Sequence, residues 1–332
     1  MSKKRLKKAV QSFKTIVQSS LANLKQAYEH VHVTVSVRLL PFAVLLCGLL
    51  WGSAFPGIKG IYAEWTKNGI EATFSNRLLI AGVRFLVAGC VLLMLAKQPW
   101  KEWKLTPKHR IIGFALTQIF FQYLIFYTAL AVSSAALGSI LTATGSFWWI
   151  VLAPLMLKTA WPNRYQWLLL TVGVVGVLLA VYRPGAGSGD PVLGAILFIL
   201  SSLSGTLGVI ILQGIVPTMS SRVATGFGLV IGGFMMCVIG MPAWLHFAEL
   251  FTLKVVLLTV HLTFVSAVSF SLWNYLTTLF PVNLLAGYRF LIPICAVIES
   301  SLFVAGESPG LGIFIGGALV ISAVVGLQRM HR

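Results

Sequence analysis

Ten apolar stretches, each about as long as the hydrocarbon core of a bilayer is thick, take up most of residues 39–328. A helix must supply roughly 20 apolar residues to cross about 30 Å of hydrocarbon. The stretches run over about 39–59, 78–97, 111–131, 134–157, 165–182, 192–214, 223–241, 255–279, 284–305 and 309–328. Inside lipid every backbone polar group has to be satisfied within the protein, which leaves helices or a closed barrel. These runs lack the two-residue alternation of a barrel strand, so they predict helices. At 58% hydrophobic and 10% charged residues, the chain has too little charge to hydrate a soluble surface. The expected fold class is therefore an all-α polytopic membrane protein of ten transmembrane helices, with its function sought along a path through the bundle.

The net charge of +17 could point to nucleic acid, but its placement argues otherwise. Lys3, Lys4, Arg5, Lys7, Lys8, Lys14, Lys25 and Arg38 precede the first stretch, and Lys97, Lys101, Lys104, Lys108 and Arg110 crowd the loop after the second. Lys158 and Arg164, Arg222, and Arg329 with Arg332 fall at later even-numbered junctions. Odd-numbered junctions hold Lys59, Lys67, Arg77, Arg183 and Lys254, largely offset by Glu64, Glu71, Asp190 and Glu249. Short loops rich in Lys and Arg stay in the cytoplasm. The pattern predicts both termini inside, and the expected location is a cell membrane, the inner membrane of a bacterium. Cys47, Cys90, Cys237 and Cys295 each fall inside an apolar stretch without metal-type spacing, so they read as small core residues. No metal and no cofactor is expected.

Before the first stretch, Leu6, Val10, Phe13, Val17, Leu21, Leu24 and Tyr28 recur at helical spacing among Lys, Gln and Ser. A basic amphipathic helix of this kind belongs on anionic lipid at the cytoplasmic interface. A solvated arm and an organelle transit peptide are the alternatives. Val31, Val33, Val35 and Val37 then alternate, as an extended connector would.

Shifting the chain by 147 residues lays the third to fifth stretches on the eighth to tenth: Phe126-Tyr127 falls on Trp273-Asn274, Leu137 on Leu284, Ser146 on Pro293 and Pro162 on Pro309. Leu50-Trp51-Gly52-Ser53 likewise matches Leu203-Ser204-Gly205-Thr206. Two halves of five spans each must insert with opposite topology, the arrangement that gives two alternate packings around one central site. Leu50-Trp51-Gly52-Ser53-Ala54-Phe55, Arg84-Phe85-Leu86 and the Gly306-Glu307 ending of the ninth stretch resemble the EamA type of the drug/metabolite transporter superfamily. The resemblance covers about residues 42–328 and implies two inverted five-helix repeats that transport small organic metabolites. Ala160 stands where the second half has Glu307, and Ser146 where it has Pro293, so no substrate is carried over. The expected organisation is a basic arm at 1–38, a first repeat at 39–182, a Gly-rich linker at 183–191, a second repeat at 192–328 and a cytoplasmic tail at 329–332.

Ionisable residues inside a span are costly and usually face a cavity. Arg84, Arg289 and Glu299 are such residues. Arg84 and Glu299 each lie roughly 9 Å from the outer end of their span at 1.5 Å per residue, a depth at which they could pair. They are read as a gate or a coupling pair, against a fixed structural ion pair. Arg289, after Tyr288, suits a carboxylate or phosphate through bidentate hydrogen bonds, with an interfacial anchor as the alternative. Softer polar groups are Gln118, Gln122, Tyr123, Tyr127, Thr142, Thr144, Ser146, His261, Ser266, Ser269 and Asn274. Gln118 and Gln122, four apart, share a helix face. Trp51 and Trp148 fall near mid-span, away from the interface where such rings usually anchor. Pro56, Pro154, Pro217 and Pro293 mark places where a helix can bend.

With no nucleotide motif, the expected activity is secondary transport by alternating access, probing a small amphipathic metabolite such as an amino acid or organic anion, with export as the direction the resemblance implies. Trp51, Gln118, Gln122, Tyr127, Asn274, Tyr288 and Arg289 are the expected ligand contacts, and Arg84 with Glu299 the gate. A membrane-embedded enzyme or a passive channel is the alternative. The expected partners are the substrate and the bilayer, with a homodimer left open.

Overall fold

A computed structural model of the protein describes residues 39–157, 161–182, 185–186, 189–280, 285, 291–306 and 308–329. The expected amphipathic arm and its extended connector lie outside these residues, as do Tyr288, Arg289 and Glu307.

The described chain is almost entirely helical. Helix α1 spans Leu40–Lys67 and α2 Phe74–Met94; a short α3, Pro99–Leu105, precedes α4, Lys108–Val132. Helices α5, Ala135–Thr142, and α6, Gly145–Leu157, form one broken span, followed by α7, Arg164–Tyr182. The second half has α8, Pro191–Gln213; α9, Ser221–Ile239; α10, Leu253–Leu279; α11, Leu291–Phe303; and α12, Leu311–Arg329. Eight spans among the described residues are long and apolar enough to cross a bilayer, while the ninth and tenth expected stretches contribute shorter apolar segments.

Local chemistry sets the helix starts. Thr73, Ser134, Asp190 and Thr252 each accept a hydrogen bond from a first-turn amide of the helix they precede. At Asn163 the capping is reciprocal: its Oδ1 accepts from the Gln166 amide at 3.0 Å, and Gln166 Oε1 accepts from the Asn163 amide at 2.8 Å.

The first helix runs eight residues beyond its expected end at position 59, to Lys67. Lys59 ends the apolar run in sequence, yet its ammonium donates to the Ser133 carbonyl at 2.8 Å. Beyond it Ile61, Tyr62 and Trp65 are buried, and packing on that face carries the helix on. The stop is a Schellman turn: Gly69 takes φ of 72°, and the Ile70 amide reaches back to the Trp65 carbonyl at 2.8 Å.

Two helix pairs meet at backbone distance. On α2, a methyl added to Gly82 would lie 2.8 Å from the Gly233 carbonyl oxygen of α9, and one on Gly233 would lie 2.9 Å from that of Gly82. Gly176 of α7 and Gly316 of α12 face each other in the same reciprocal way, at 2.6 and 2.3 Å. Small residues let helices approach this closely in lipid, where apolar packing has to come from contact. The Gly-rich linker is partly pinned. Gly185–Ala186 pairs antiparallel with Ser308–Pro309, Gly189 bridges to Ser133, and the Asp190 amide donates to the Val132 carbonyl at 2.8 Å.

Candidate functional site

A cavity of about 100 Å³ opens in the middle of the bundle, room for several waters. Its walls come from Trp51 and Phe55 of α1, Arg84 of α2, Gln118, Gln122, Tyr123 and Phe126 of α4, Thr142 and Ala143 at the end of α5, Gly205 and Val209 of α8, Ser266, Phe270 and Trp273 of α10, and Ile292 and Pro293 of α11. The walls are mainly apolar with a few convergent polar groups, the usual make-up of a small-molecule site.

Two interruptions of helical geometry frame it. Residues Ala115–Phe121 of α4 wind as a π-helix, which carries Gln118 into the wall. Such turns are rare and recur at functional sites because they re-aim side chains. Hydroxyls of α8 satisfy the irregular backbone: Ser204 donates to the Thr117 carbonyl and Ser201 to the Gln122 carbonyl, both at 2.8 Å. The second interruption separates α5 from α6 at Ala143–Thr144, with neither residue a proline. Thr144 Oγ1 caps the Leu141 carbonyl at 2.6 Å and shares a hydrogen bond with Ser202 Oγ at 2.7 Å. A break at membrane depth is tolerated where it lines a cavity or is satisfied by neighbours, and both hold here.

Of the expected ligand contacts, Trp51, Gln118 and Gln122 line the cavity. Asn274 does not. It is fully buried behind the wall, where its Nδ2 donates to Gln118 Oε1 at 3.1 Å and to Thr225 Oγ1 at 2.9 Å, while Gln118 Nε2 donates back to Asn274 Oδ1 at 3.4 Å. Asn274 therefore orients Gln118. Tyr127 is also behind the wall, buried with its ring 5.3 Å from the Arg84 guanidinium carbon. Tyr288 and Arg289 lie outside the described residues.

The expected Arg84–Glu299 pair is not formed. Arg84 is 2% exposed, lines the cavity and has no carboxylate partner among the described residues. Its Nε and Nη1 are buried and donate to nothing among them, while Phe85, Tyr127 and Tyr123 stand 4.3, 5.3 and 5.4 Å from its Cζ. Glu299 instead packs against α1, its Oε1 3.0 Å from where a methyl on Gly52 would sit. Equal depth along two helices says nothing about which way each side chain points, and here no ion pair joins the two. His261 is hydrogen-bonded as a span-end histidine can be, 2.9 Å from Ser53 Oγ.

Nothing in the sequence marks Phe55, Phe126 and Phe270 as cavity residues, because an aromatic facing a cavity reads the same as one facing lipid. Together they make a continuous ring cluster. Trp51 meets Phe270 and Trp273 edge-on at 5.6 and 5.7 Å, Phe85 meets Tyr123 at 4.6 Å, and Phe55 meets Phe126 at 5.3 Å. A second cavity of about 270 Å³ lies between Ile140 and helices α11 and α12, and Pro293 borders both. Among the described residues its lining carries no polar side chain that would orient a polar solute.

Comparison with known proteins agrees with this architecture. One of 14 matching solved chains, a crystal structure of a protein, is similar over 90% of this chain and 99% of its own, with a TM-score of 0.56 at 15% identity, a likeness of fold. No curated protein matches. Residues 39–182 of this multi-pass membrane chain are similar to the EamA-like transporter family.

Proposed function

We propose that the protein is a secondary carrier that moves a small organic metabolite through the central cavity by alternating access. The observation that carries the reading is the cavity itself: it lies at mid-bundle where a π-turn and a broken helix meet, and it combines aromatic walls with Gln118, Gln122 and Arg84. Irregular helices that line a midplane cavity are where carriers of this kind hold their substrates.

The reading includes ten spans in two inverted repeats, 39–182 and 192–328, with both termini cytoplasmic in a bacterial inner membrane and the basic arm on anionic lipid. The reciprocal glycine contacts of α2 with α9 and of α7 with α12 support it, since a two-fold axis in the membrane plane brings equivalent helices of the two halves face to face. Rocking of one half on the other would expose the cavity to each side in turn. Glu299, an intramembrane carboxylate without an ion-pair partner among the described residues, is the proposed coupling group. Tyr288 and Arg289 are kept as ligand contacts on sequence grounds, and export as the direction.

Counterflow in proteoliposomes loaded with a mixed pool of amino acids and organic acids tests this, run with and without a pH gradient. Saturable exchange of one solute class is expected, with E299Q abolishing any gradient dependence. Absence of exchange by folded protein would overturn the carrier reading. Flux that does not saturate would make the protein a channel.

A further inference from the structure

Arg84 has a charge and no counter-charge among the described residues. Its guanidinium is sealed from solvent, and the three rings around it can attract a cation but cannot accept along the N–H directions as an oxygen does. The rings hold the group in place and leave Nε and Nη1 open. Two other cavity residues are in the same condition: Trp51 Nε1 donates to nothing among the described residues, and Gln122 Oε1 accepts from nothing. Buried polar atoms are normally satisfied, so a cluster of three unsatisfied residues around one cavity points to a ligand that satisfies them. Among the described residues no Asp or Glu lines that cavity.

We infer that Arg84 is the anchor for an anionic head group and that the transported substrate is a small organic anion with a flat apolar body. This rests on the carrier reading and names its substrate class. A carboxylate would compensate the buried guanidinium and can take two parallel N–H bonds from it. The indole N–H of Trp51 adds a further donor suited to an anion. A cation would meet like charge in a cavity of low dielectric. The edge-on rings of Trp51, Phe270 and Trp273 fit an apolar planar body, and Gln122 Oε1 can take one hydrogen-bond donor on it. An ammonium group on the substrate is not required, because no carboxylate of the described residues lines the wall to bind it.

The test uses benzoate, benzamide and benzamidine, three planar probes of nearly the same shape that are anionic, neutral and cationic. Binding to the purified full-length protein is measured by titration calorimetry, and benzoate counterflow in proteoliposomes. Benzoate should bind at least ~30-fold more tightly than either of the other two, the scale of one buried charge-assisted pair. R84Q should lose that preference while keeping its thermal midpoint, and R84K, a point charge without the planar fork, should keep part of it. Equal binding of benzoate by R84Q, preference for benzamidine, or no benzoate binding by folded wild-type protein would each overturn the assignment. Counterflow of a mixed solute pool separates the failures. If that exchange persists while benzoate fails, the anion site is wrong and the carrier stands; if nothing exchanges, the carrier reading itself falls.

Discussion

Gly205 and Gly208 lie three residues apart on α8, each against a glutamine of α4, and alanine at the two positions should have opposite consequences. A methyl on Gly205 would sit 2.5 Å from Gln122 Oε1, 2.7 Å from Cδ and 2.9 Å from Nε2, all at the far end of a flexible side chain. A methyl on Gly208 would sit 2.4 Å from Gln118 Cβ and 2.8 Å from its Cα and amide nitrogen, which are main-chain positions. At 205 the Gln122 amide can swing by about 1 Å, at an off-rotamer cost of about 0.5–1.5 kcal/mol. Replacing a helical Gly returns roughly 1 kcal/mol, so G205A should unfold within about 1 kcal/mol of wild type. At 208 only the helices can part. Overpacking of that kind costs about 1–3 kcal/mol and sometimes more, and a gap of 0.5–1 Å forfeits roughly a quarter to a half of each contact's dispersion energy. With backbone as the obstacle the cost falls at the top of that range, so after the same helix gain G208A should lose about 2 kcal/mol. Unfolding in mixed micelles reads the stability, and concentration-dependent counterflow reads the site. G205A should raise half-saturation with the fold intact, because the amide it displaces lines the cavity. If G205A loses as much stability as G208A, or if G208A unfolds like wild type, the close approach of α4 and α8 is wrong. Normal half-saturation in G205A would remove Gln122 from the substrate contacts.

N274L removes the donors that hold Gln118, while Thr225 keeps its 2.7 Å bond to the Ser221 carbonyl. It should cost about 1–2 kcal/mol in micelle unfolding and raise half-saturation, and unchanged transport kinetics would show that Gln118 does not need that orientation. Glu102 of α3 caps α9 by accepting from the Ser220 amide at 2.7 Å and its hydroxyl at 2.9 Å. Because this contact is exposed, E102A should change global stability by less than about 1 kcal/mol yet speed hydrogen exchange at the first turn of α9; unaltered exchange would mean the cap does not hold in the bilayer.

Membrane character was legible from one property, the length of uninterrupted apolar sequence, because lipid imposes the same demand on every segment that crosses it. The charged loops were equally plain. Span boundaries were less so: Lys59 read as the end of the first helix because its charge is visible in sequence, while its acceptor, the Ser133 carbonyl, is 74 residues away. Gln118 and Gln122 were found by their shared face, although a π-turn sets the actual register. The break at Ala143–Thr144 carries no proline to announce it. Hydroxyls from α8 make it affordable.

By itself, then, the sequence determined an all-helical membrane chain, placed a buried arginine and two glutamines as candidates, and pointed to a transporter family that residues 39–182 match. Tertiary structure alone decided what those residues face. It sent Asn274 behind the wall, left Arg84 and Glu299 unpaired with each other, and gathered Phe55, Phe126 and Phe270 around a common space. The physical reason is that lipid, a neighbouring helix and a ligand cavity are all apolar surroundings to a side chain. Composition can place a residue within the membrane, but only the packing of the helices fixes which of the three it meets.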